Sequence, residues 1–268
     1  LINMFGAVFQ HYKTDETKVF VVHRLRNDIV ELIKFLNSNK ENKEWHISYN
    51  GLNFDAQITE YILENQQELV ELDALSAANK LYEFAQSVIE KTSTNEFPPY
   101  SPRDLSIQQI DVFKLNHWDN PAKRSSLKWI QYSMDWYNIQ EMPIHHSTYI
   151  NTQAQIDEVM TYCINDVRSC KQIMLLSKSQ INLRQALTKE YGTDLYSASE
   201  PRIAKELFLD FLSRKTKIKK YELKQLRTSR DKIKVADIIL PYIDFKRPEF
   251  KEILDKFKEL VLDPNNTK

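Results

Sequence analysis

At 268 residues, with 42% hydrophobic and 28% charged residues, the chain has the composition of an ordinary globular protein that can bury a substantial core. No run approaches the roughly 18 consecutive apolar residues that cross a bilayer, so no transmembrane helix is expected. Residues 1–5 contain no basic region of a signal peptide, and a first residue other than Met suggests an internal piece of a longer chain.

The formal net charge of zero conceals two parts of opposite sign. Residues 202–268 hold 18 Lys and Arg against 11 Asp and Glu, which gives this part a charge of +7 and leaves −7 for the remainder. Much of the excess lies in residues 214–234, which we call the basic stretch. An acidic part followed by a basic part is typical of a protein that binds a polyanion with metal ions, although a solvated helix face has a similar composition.

The predicted elements alternate between strands and helices. Short apolar runs predict strands at residues 6–9, 18–23, 45–50 and 107–113. Helical spacing of apolar residues predicts helices from about Asn27, from Asp55, and over residues 69–89, 125–132, 153–178, 200–212 and 249–260. Strands followed by helices indicate an α/β domain, and the change of character around residues 178–192 divides the chain into domains 1–185 and 186–268.

The helix predicted over residues 153–178 combines a buried face with two polar side chains. Cys163 and Cys170 lie on its apolar stripe and, since no zinc spacing is present, they are expected to be small core residues of a cytosolic protein. Tyr162 and Asp166 are i,i+4 neighbours beside this stripe, so phenol and carboxylate should emerge together. Such a carboxylate can hold a hard metal ion while the phenol orients a water or a phosphate, although a half-buried Tyr and a surface Asp give the same pattern.

A second motif lies where the third predicted strand ends. Gly51 breaks the strand after Tyr49 and Asn50, and Phe54 and Asp55 then open a helix. The dipole of that helix favours a negative charge at Asp55, near its first turn.

Together these motifs resemble the proofreading 3′→5′ exonuclease domain of family B DNA polymerases, most of all those of phages. Residues 49–55 are similar to the family's second exonuclease motif, and residues 162–166 to its third. Residues 110–112 and 126–128 fall where the family has a strand and then a turn into a helix, and residues 226–241 resemble the entry into the polymerase palm. The resemblance implies an α/β, ribonuclease H-like fold, with a mixed sheet flanked by helices, followed by a mostly helical extension that begins the palm.

The chemistry that this resemblance implies is two-metal hydrolysis of the terminal phosphodiester of single-stranded DNA. Two Mg²⁺ ions, or Mn²⁺ in their place, are expected about 3.5–4 Å apart, held by four carboxylates. Asp166 is expected to bind one ion directly and Asp55 the other through water, while Tyr162 orients the attacking water. Asn50 and Phe54 are expected to contact the terminal nucleotide.

The partners implied are the 3′ end of single-stranded DNA, primer–template DNA and the rest of a polymerase chain. Lys217, Lys220 and Arg227 in the basic stretch are expected to contact the DNA backbone. A cytoplasmic location is expected, in the host cell if a phage encodes the protein.

One part of the family pattern has no counterpart. The first motif, Asp-x-Glu on the first strand, is missing, and Asp15 and Glu16 do not replace it because they are adjacent and lie in a predicted turn. In the family the missing pair directly precedes a segment like residues 1–5, so the chain is expected to be a polymerase fragment that is nearly inactive alone and stops before any polymerase motif. Two other interpretations remain: a non-catalytic nucleic-acid-binding module of the same fold, and a stand-alone 3′→5′ exonuclease that acts on RNA.

Overall fold

The computed structural model describes residues 1–94, 96–116, 125–226 and 230–263. They form two compact units, Leu1–Leu207 and Phe208–Lys268. Residues 186–207, which the sequence assigned to the second domain, cluster with the first unit. The chain is mixed α/β with more helix than strand.

The strands are β1 (Phe5–Gln10), β2 (Thr17–His23), β3 (Arg26–Asn27), β4 (Trp45–Ser48), β5 (Gln108–Asp111), β6 (Ile233–Lys234) and β7 (Val261–Leu262). The helices are α1 (Ile29–Glu41), α2 (Asp55–Glu64), α3 (Gln66–Glu71), α4 (Ala74–Ser93), α5 (Val112–Asn116), α6 (Leu127–Ser133), α7 (Gln153–Leu176), α8 (Lys178–Tyr191), α9 (Glu200–Thr216), α10 (Lys220–Gln225) and α11 (Pro248–Glu259). Four predicted strands, β1, β2, β4 and β5, are therefore confirmed in position.

The strands of the first unit form two separate sheets within the described residues. β1 and β2 are antiparallel from the pair Phe5–Val22 to the pair Gln10–Thr17, and the short β3 extends this sheet. β4 and β5 are parallel. Their register places Ser48 beside Asp111, so the carboxyl ends of both strands open at the same edge.

The largest cluster of buried side chains joins β2 to α1, α2 and α4. Val22, Leu36, Ile62 and Leu81, one from each element, are each at most 2% exposed. Burying such a side chain contributes about 1.5–3 kcal/mol. The core therefore fixes α2, and with it the place of Asp55 at the first residue of that helix.

α7 packs against both sheets of the first unit. It begins at a capping box centred on Thr152. Near its start Ile156 packs in one cluster with Val21 of β2, and near its end Ile173 packs in another with Ile110 of β5. The middle of the helix consequently crosses from one sheet to the other, which is where Tyr162 and Asp166 lie.

Three predicted elements differ from the structure. The single helix predicted over residues 69–89 is two helices, because the Asp73 side chain accepts hydrogen bonds from the backbone of Leu75 and Ser76 and so starts α4 anew. The strand predicted over residues 107–113 ends at Asp111, where α5 begins. The domain boundary expected around residues 178–192 is instead occupied by the helix α8, which ends at Gly192 in the left-handed conformation, φ 63°, and belongs to the first unit.

Ion pairs contribute to the packing of the second unit. Asp210, which is 8% exposed, pairs with Lys220 Nζ over 2.7 Å and with Arg214 Nη2 over 2.5 Å. The Lys220 contact joins the start of α10 to α9 across the turn that contains Lys217. Nowhere in the described ranges is there a helix with the length and apolar character needed to cross a membrane.

Candidate functional site

The candidate site begins at a buried carboxylate at the end of β5. Asp111 is 0% exposed and accepts hydrogen bonds from the backbone N–H groups of Asn50 (2.8 Å), Leu52 (3.3 Å) and Phe113 (3.0 Å). These bonds favour the charged carboxylate, but burial outweighs them and raises the pKa of Asp111 to about 6. Asp111 thus ties the end of β5 to the turn that follows β4.

That turn needs the residue types that the motif supplies. Asn50 has φ 60° and ψ 21°, a left-handed conformation that Asn tolerates better than most residues. Its side-chain oxygen accepts a hydrogen bond from Asn53 Nδ2 over 2.8 Å. A Cβ on Gly51 would lie 1.8 Å from Ser48 Oγ, so the close approach of backbone to strand requires glycine. The turn thereby delivers the chain directly into α2.

Asp55 starts α2 beside this turn. Its Oδ2 lies 3.4 Å from the position of a Cβ on Gly51. By surface area Asp55 is an exposed residue, whereas burial is the first cause that raises its pKa to about 6, followed by the negative charge of Asp111. The side chain reaches solvent, while the protein atoms around the carboxyl group and the charge of Asp111 disfavour its ionised form. Asp55 and Asp111 are therefore close enough to repel each other.

Tyr162 and Asp166 emerge from the middle of α7, as predicted, and a lysine joins them. Lys128 Nζ donates to Asp166 Oδ1 over 2.5 Å and lies 4.5 Å from the centroid of the Tyr162 ring. The side chains of Lys128 and Asp166 are 20% and 21% exposed. Burial, and then the adjacent Asp166 carboxylate, raises the pKa of the Tyr162 phenol above its ordinary value. At neutral pH Tyr162 is therefore a protonated hydrogen-bond donor.

α6 supplies the residues that hold Asp166. The side chain of Ser126 caps this helix by accepting from the backbone N–H of Trp129 over 3.2 Å. Gln131, which is fully buried, donates from Nε2 to Asp166 Oδ1 (3.0 Å) and to Ser169 Oγ (2.7 Å). Two residues of α6, Lys128 and Gln131, therefore hold the Asp166 carboxylate in place.

The carboxylates of the site act electrostatically on the two cysteines of α7. The negative charges of Asp55, Asp111 and Asp166 all contribute, after burial, to raising the pKa of Cys170 to about 12. Burial and the charges of Asp166 and Asp55 likewise raise the pKa of Cys163 to about 11. Both cysteines are free thiols and half-buried, packed at the edges of the two clusters that α7 contacts. Charges from both motifs, which are distant in sequence, thus affect these thiols.

A cavity of about 520 Å³ opens beside Tyr162. It is lined by Gln140, Glu141, Pro143, Glu158, Thr161 and Tyr162. The lining does not include Asp55, Asp111 or Asp166. Its two glutamates make it a poor place for a phosphate group.

The side chains of the described residues do not provide the ligands that two divalent ions require. Across residues 1–94, 96–116, 125–226 and 230–263, no group of three or more His, Cys, Asp or Glu side chains is arranged to hold a metal ion. The Asp111 oxygens already accept three backbone hydrogen bonds, and Asp166 Oδ1 accepts from Lys128 and Gln131. The described residues therefore do not fit the two-ion site that the resemblance implies.

The predicted substrate-contacting residues lie in different settings. Asn50 is in the turn beside Asp111, and Phe54 is partly buried against the main core. Lys217 is exposed with φ 63°, while Lys220 pairs with Asp210 in the second unit. Arg227 lies outside the described residues.

Sequence reasoning missed Asp111, Lys128 and Gln131 as site residues. Asp111 had one available signal, an acidic residue at the end of an apolar strand, where side chains of α/β proteins often gather. Lys128 and Gln131 are polar residues on a short helix and become part of the site only through tertiary contact with Asp166.

Compared with family models, curated proteins and solved structures, the chain gives no match. Its function is therefore inferred from the geometry of the site and from the two motifs.

Proposed function

We propose that this chain is the nuclease-fold region of a DNA polymerase that resembles the family B enzymes of phages, and that it handles the 3′ end of single-stranded DNA for 3′→5′ exonucleolytic proofreading. The observation that carries this proposal is the placement of the two motifs: Asp55 lies beside the turn that Asp111 holds, and Tyr162 and Asp166 emerge from α7, which packs on β5. Asp55 and Asp111 repel each other, and neighbouring carboxyl groups with raised pKa values are typical of functional sites.

We further propose a ribonuclease H-like fold. In such a fold the antiparallel and parallel strands belong to one mixed sheet. Among the described strands, β1 pairs with β2 alone and β4 with β5 alone, so each sheet has a free edge. α7 packs against both sheets, which supports their being two parts of one layer with a further strand between them. Such a strand is also where two more carboxylates would be placed.

The described residues supply binding and orientation. Asn50 and Phe54 flank the turn before Asp55, where a terminal nucleotide would meet the carboxylates. Tyr162, a protonated phenol, can donate a hydrogen bond to a water or to a phosphate oxygen. Hydrolysis would further need the complete ligand set, which the described residues do not provide.

A second candidate is a non-catalytic module that binds single-stranded nucleic acid. The observation that favours it is the ion pair between Lys128 and Asp166, which places a positive charge where the resemblance expects a metal ion. In this case Lys128 and the basic stretch would bind phosphates, and the carboxylates of Asp55, Asp111 and Asp166 would only stabilise the fold.

One experiment separates the two candidates. The product of the whole open reading frame that encodes this sequence is incubated with a 5′-labelled single-stranded oligonucleotide and Mg²⁺ or Mn²⁺. The exonuclease proposal expects stepwise shortening from the 3′ end, abolished in Asp55→Asn and Asp166→Asn and retained in Asp104→Asn, a control at an exposed loop residue. Binding without shortening selects the non-catalytic module, and the absence of both binding and shortening rejects both candidates.

A further inference from the structure

Two pairs of a lysine and an aromatic ring flank the turn that joins α9 to α10. Lys215 Nζ lies 5.7 Å from the centroid of the Phe211 ring, and Lys219 Nζ lies 5.9 Å from that of Tyr221. Both distances are within the range at which a cation and a ring attract each other. Phe211 and Tyr221 are nevertheless 58% and 59% exposed, so each leaves more than half of its surface open to a partner.

An ion pair holds the two rings near this turn. Asp210, the residue before Phe211, contacts Lys220, the residue before Tyr221, over 2.7 Å. Asp210 is only 8% exposed, so the pair is partly shielded from water and salt. The start of α10 is thus held against α9, and the positions of both rings are fixed with it.

Three lysines around the turn are available for a partner. Lys215, Lys217 and Lys219 are exposed, and within the described residues none of them forms an ion pair with a carboxylate. Lys220 differs because its charge is used by Asp210. The turn therefore presents three positive charges that the phosphates of a polyanion can neutralise.

The exposed rings indicate that the partner offers more than phosphates. Phosphate binding requires lysines but no exposed rings. An unpaired base has a flat face that stacks on an aromatic ring, and proteins that bind single strands combine such rings with lysines that follow the phosphates. In a duplex the base faces are already stacked on one another. A single strand therefore fits both the charges and the rings around this turn.

We propose that the turn between α9 and α10 is a binding site for single-stranded nucleic acid, in which Phe211 and Tyr221 stack on unpaired bases while Lys215, Lys217 and Lys219 bind the adjacent phosphates. The inference goes beyond the proposed function, because it assigns contacts with bases to the second unit. It holds whether or not the first unit hydrolyses DNA.

The test is binding of single strands to the 268-residue chain without divalent ions, measured by fluorescence anisotropy. Two probes are compared, an oligothymidylate and a strand of equal length whose sugars carry no bases. Phe211→Ala with Tyr221→Ala should weaken binding of the oligothymidylate at least about tenfold, as expected when a stacked base is lost, and leave binding of the abasic strand unchanged. Phe211→Leu with Tyr221→Leu is the second variant if the alanine pair does not fold.

Tyr242→Ala is the matched control. Tyr242 belongs to the same unit and is 79% exposed, but it lies outside the basic stretch. Its replacement should leave the affinity for both probes unchanged. Lys215→Gln with Lys219→Gln should instead weaken binding of both probes by similar factors, because both probes keep their phosphates.

An equal loss on both probes in the ring variants, no loss on either probe, or the same loss in Tyr242→Ala overturns the inference. An oligouridylate in place of the oligothymidylate distinguishes RNA from DNA, and a base-dependent loss on either strand supports the site.

Failure of the proposed function is distinguishable from failure of this site. A base-dependent loss in the ring variants, with no 3′ shortening by the whole reading-frame product, keeps the site and rejects the exonuclease. Shortening that depends on Asp166, with an equal loss on both probes in the ring variants, does the reverse.

Discussion

The carboxylate of Asp111 accepts a 2.8 Å hydrogen bond from the backbone N–H of Asn50, 61 positions earlier in the chain. This contact and the parallel one from Leu52 join β5 to the turn that carries the second motif. Asp111→Ala would leave buried N–H groups without acceptors, each costing about 1–3 kcal/mol. We therefore expect the free energy of unfolding, measured by urea denaturation, to fall by roughly 3 kcal/mol or more.

The exposed Asp104 provides the comparison for that experiment. Asp104→Ala should change the free energy of unfolding by less than about 0.5 kcal/mol, as is usual at the surface. An equally small effect of Asp111→Ala would mean that the turn after β4 does not depend on this carboxylate.

The dependence of stability on pH should contain two opposing contributions. Burial raises the pKa of Asp111 from 3.8 to about 6, so the folded state holds this proton more tightly than the unfolded state. The stability from Asp111 is then full below about pH 4 and is lost as pH rises through 6, a change on the order of 3 kcal/mol. Asp55, with its pKa also raised to about 6, acts in the same direction.

His46 has the opposite effect, because burial lowers its pKa from 6.5 to about 4. Its contribution is present above pH 6.5 and is lost as pH falls toward 4. Between pH 4 and 6.5 we thus expect the unfolding free energy of Asp111→Asn to rise with pH more steeply than that of the unchanged protein. The unfolding free energy of His46→Gln should instead fall as pH rises, because the contribution of His46 is lost. Urea denaturation at several pH values measures both slopes, and equal slopes in the three proteins would refute this assignment.

Tyr162→Phe tests the role of the phenol. If Tyr162 orients the attacking water, this variant of the whole reading-frame product should bind a single-stranded oligonucleotide normally but shorten it about 10²-fold more slowly. Tyr149→Phe, a change at an exposed tyrosine ahead of α7, should have no effect on either quantity. Weakened binding with an unchanged rate of shortening would instead assign Tyr162 to substrate affinity.

A separate prediction concerns how the affinity of the basic stretch for single-stranded DNA depends on salt. If Lys217 and Lys219 bind phosphates, replacing both with Gln should reduce the slope of log affinity against log salt by about 0.7 for each phosphate that is no longer neutralised. Lys220 is left unchanged because it pairs with the buried Asp210, and its replacement would disturb the second unit itself. Fluorescence anisotropy with a single-stranded oligonucleotide gives the slopes.

Lys256→Gln with Lys258→Gln is the control pair for this measurement. These lysines lie on α11 and make ion pairs within that helix. A slope that falls equally in both double variants would point to overall charge rather than to phosphate binding by the basic stretch.

The sequence was most informative where local pattern and tertiary structure agree. The apolar runs of β1 and β2 and the stripe of α7 predicted those elements, because each buries one continuous face against the core. Asp55 was correctly placed at the start of a helix because Gly51 marks the turn between β4, which ends at Ser48, and α2. Tyr162 and Asp166 emerge together since the helical period requires it.

Other features depend on contacts that no local pattern encodes. Asp73 lies inside the helix predicted over residues 69–89, but its side chain caps α4 and divides that predicted helix into two. Lys128 precedes Asp166 by 38 positions, and their ion pair arises only when α6 packs on α7. Such pairings are set by the whole fold, so they could not be predicted from spacing.

The two thiols on α7 have a consequence for chemical labelling. With pKa values of about 11 and 12, Cys163 and Cys170 are almost entirely protonated near pH 8, whereas an ordinary cysteine with a pKa of about 8.5 is partly ionised there. Because the thiolate is the species that reacts, iodoacetamide should modify the folded chain far more slowly than the unfolded one. A faster reaction of these two natural cysteines therefore reports the loss of their buried surroundings on α7.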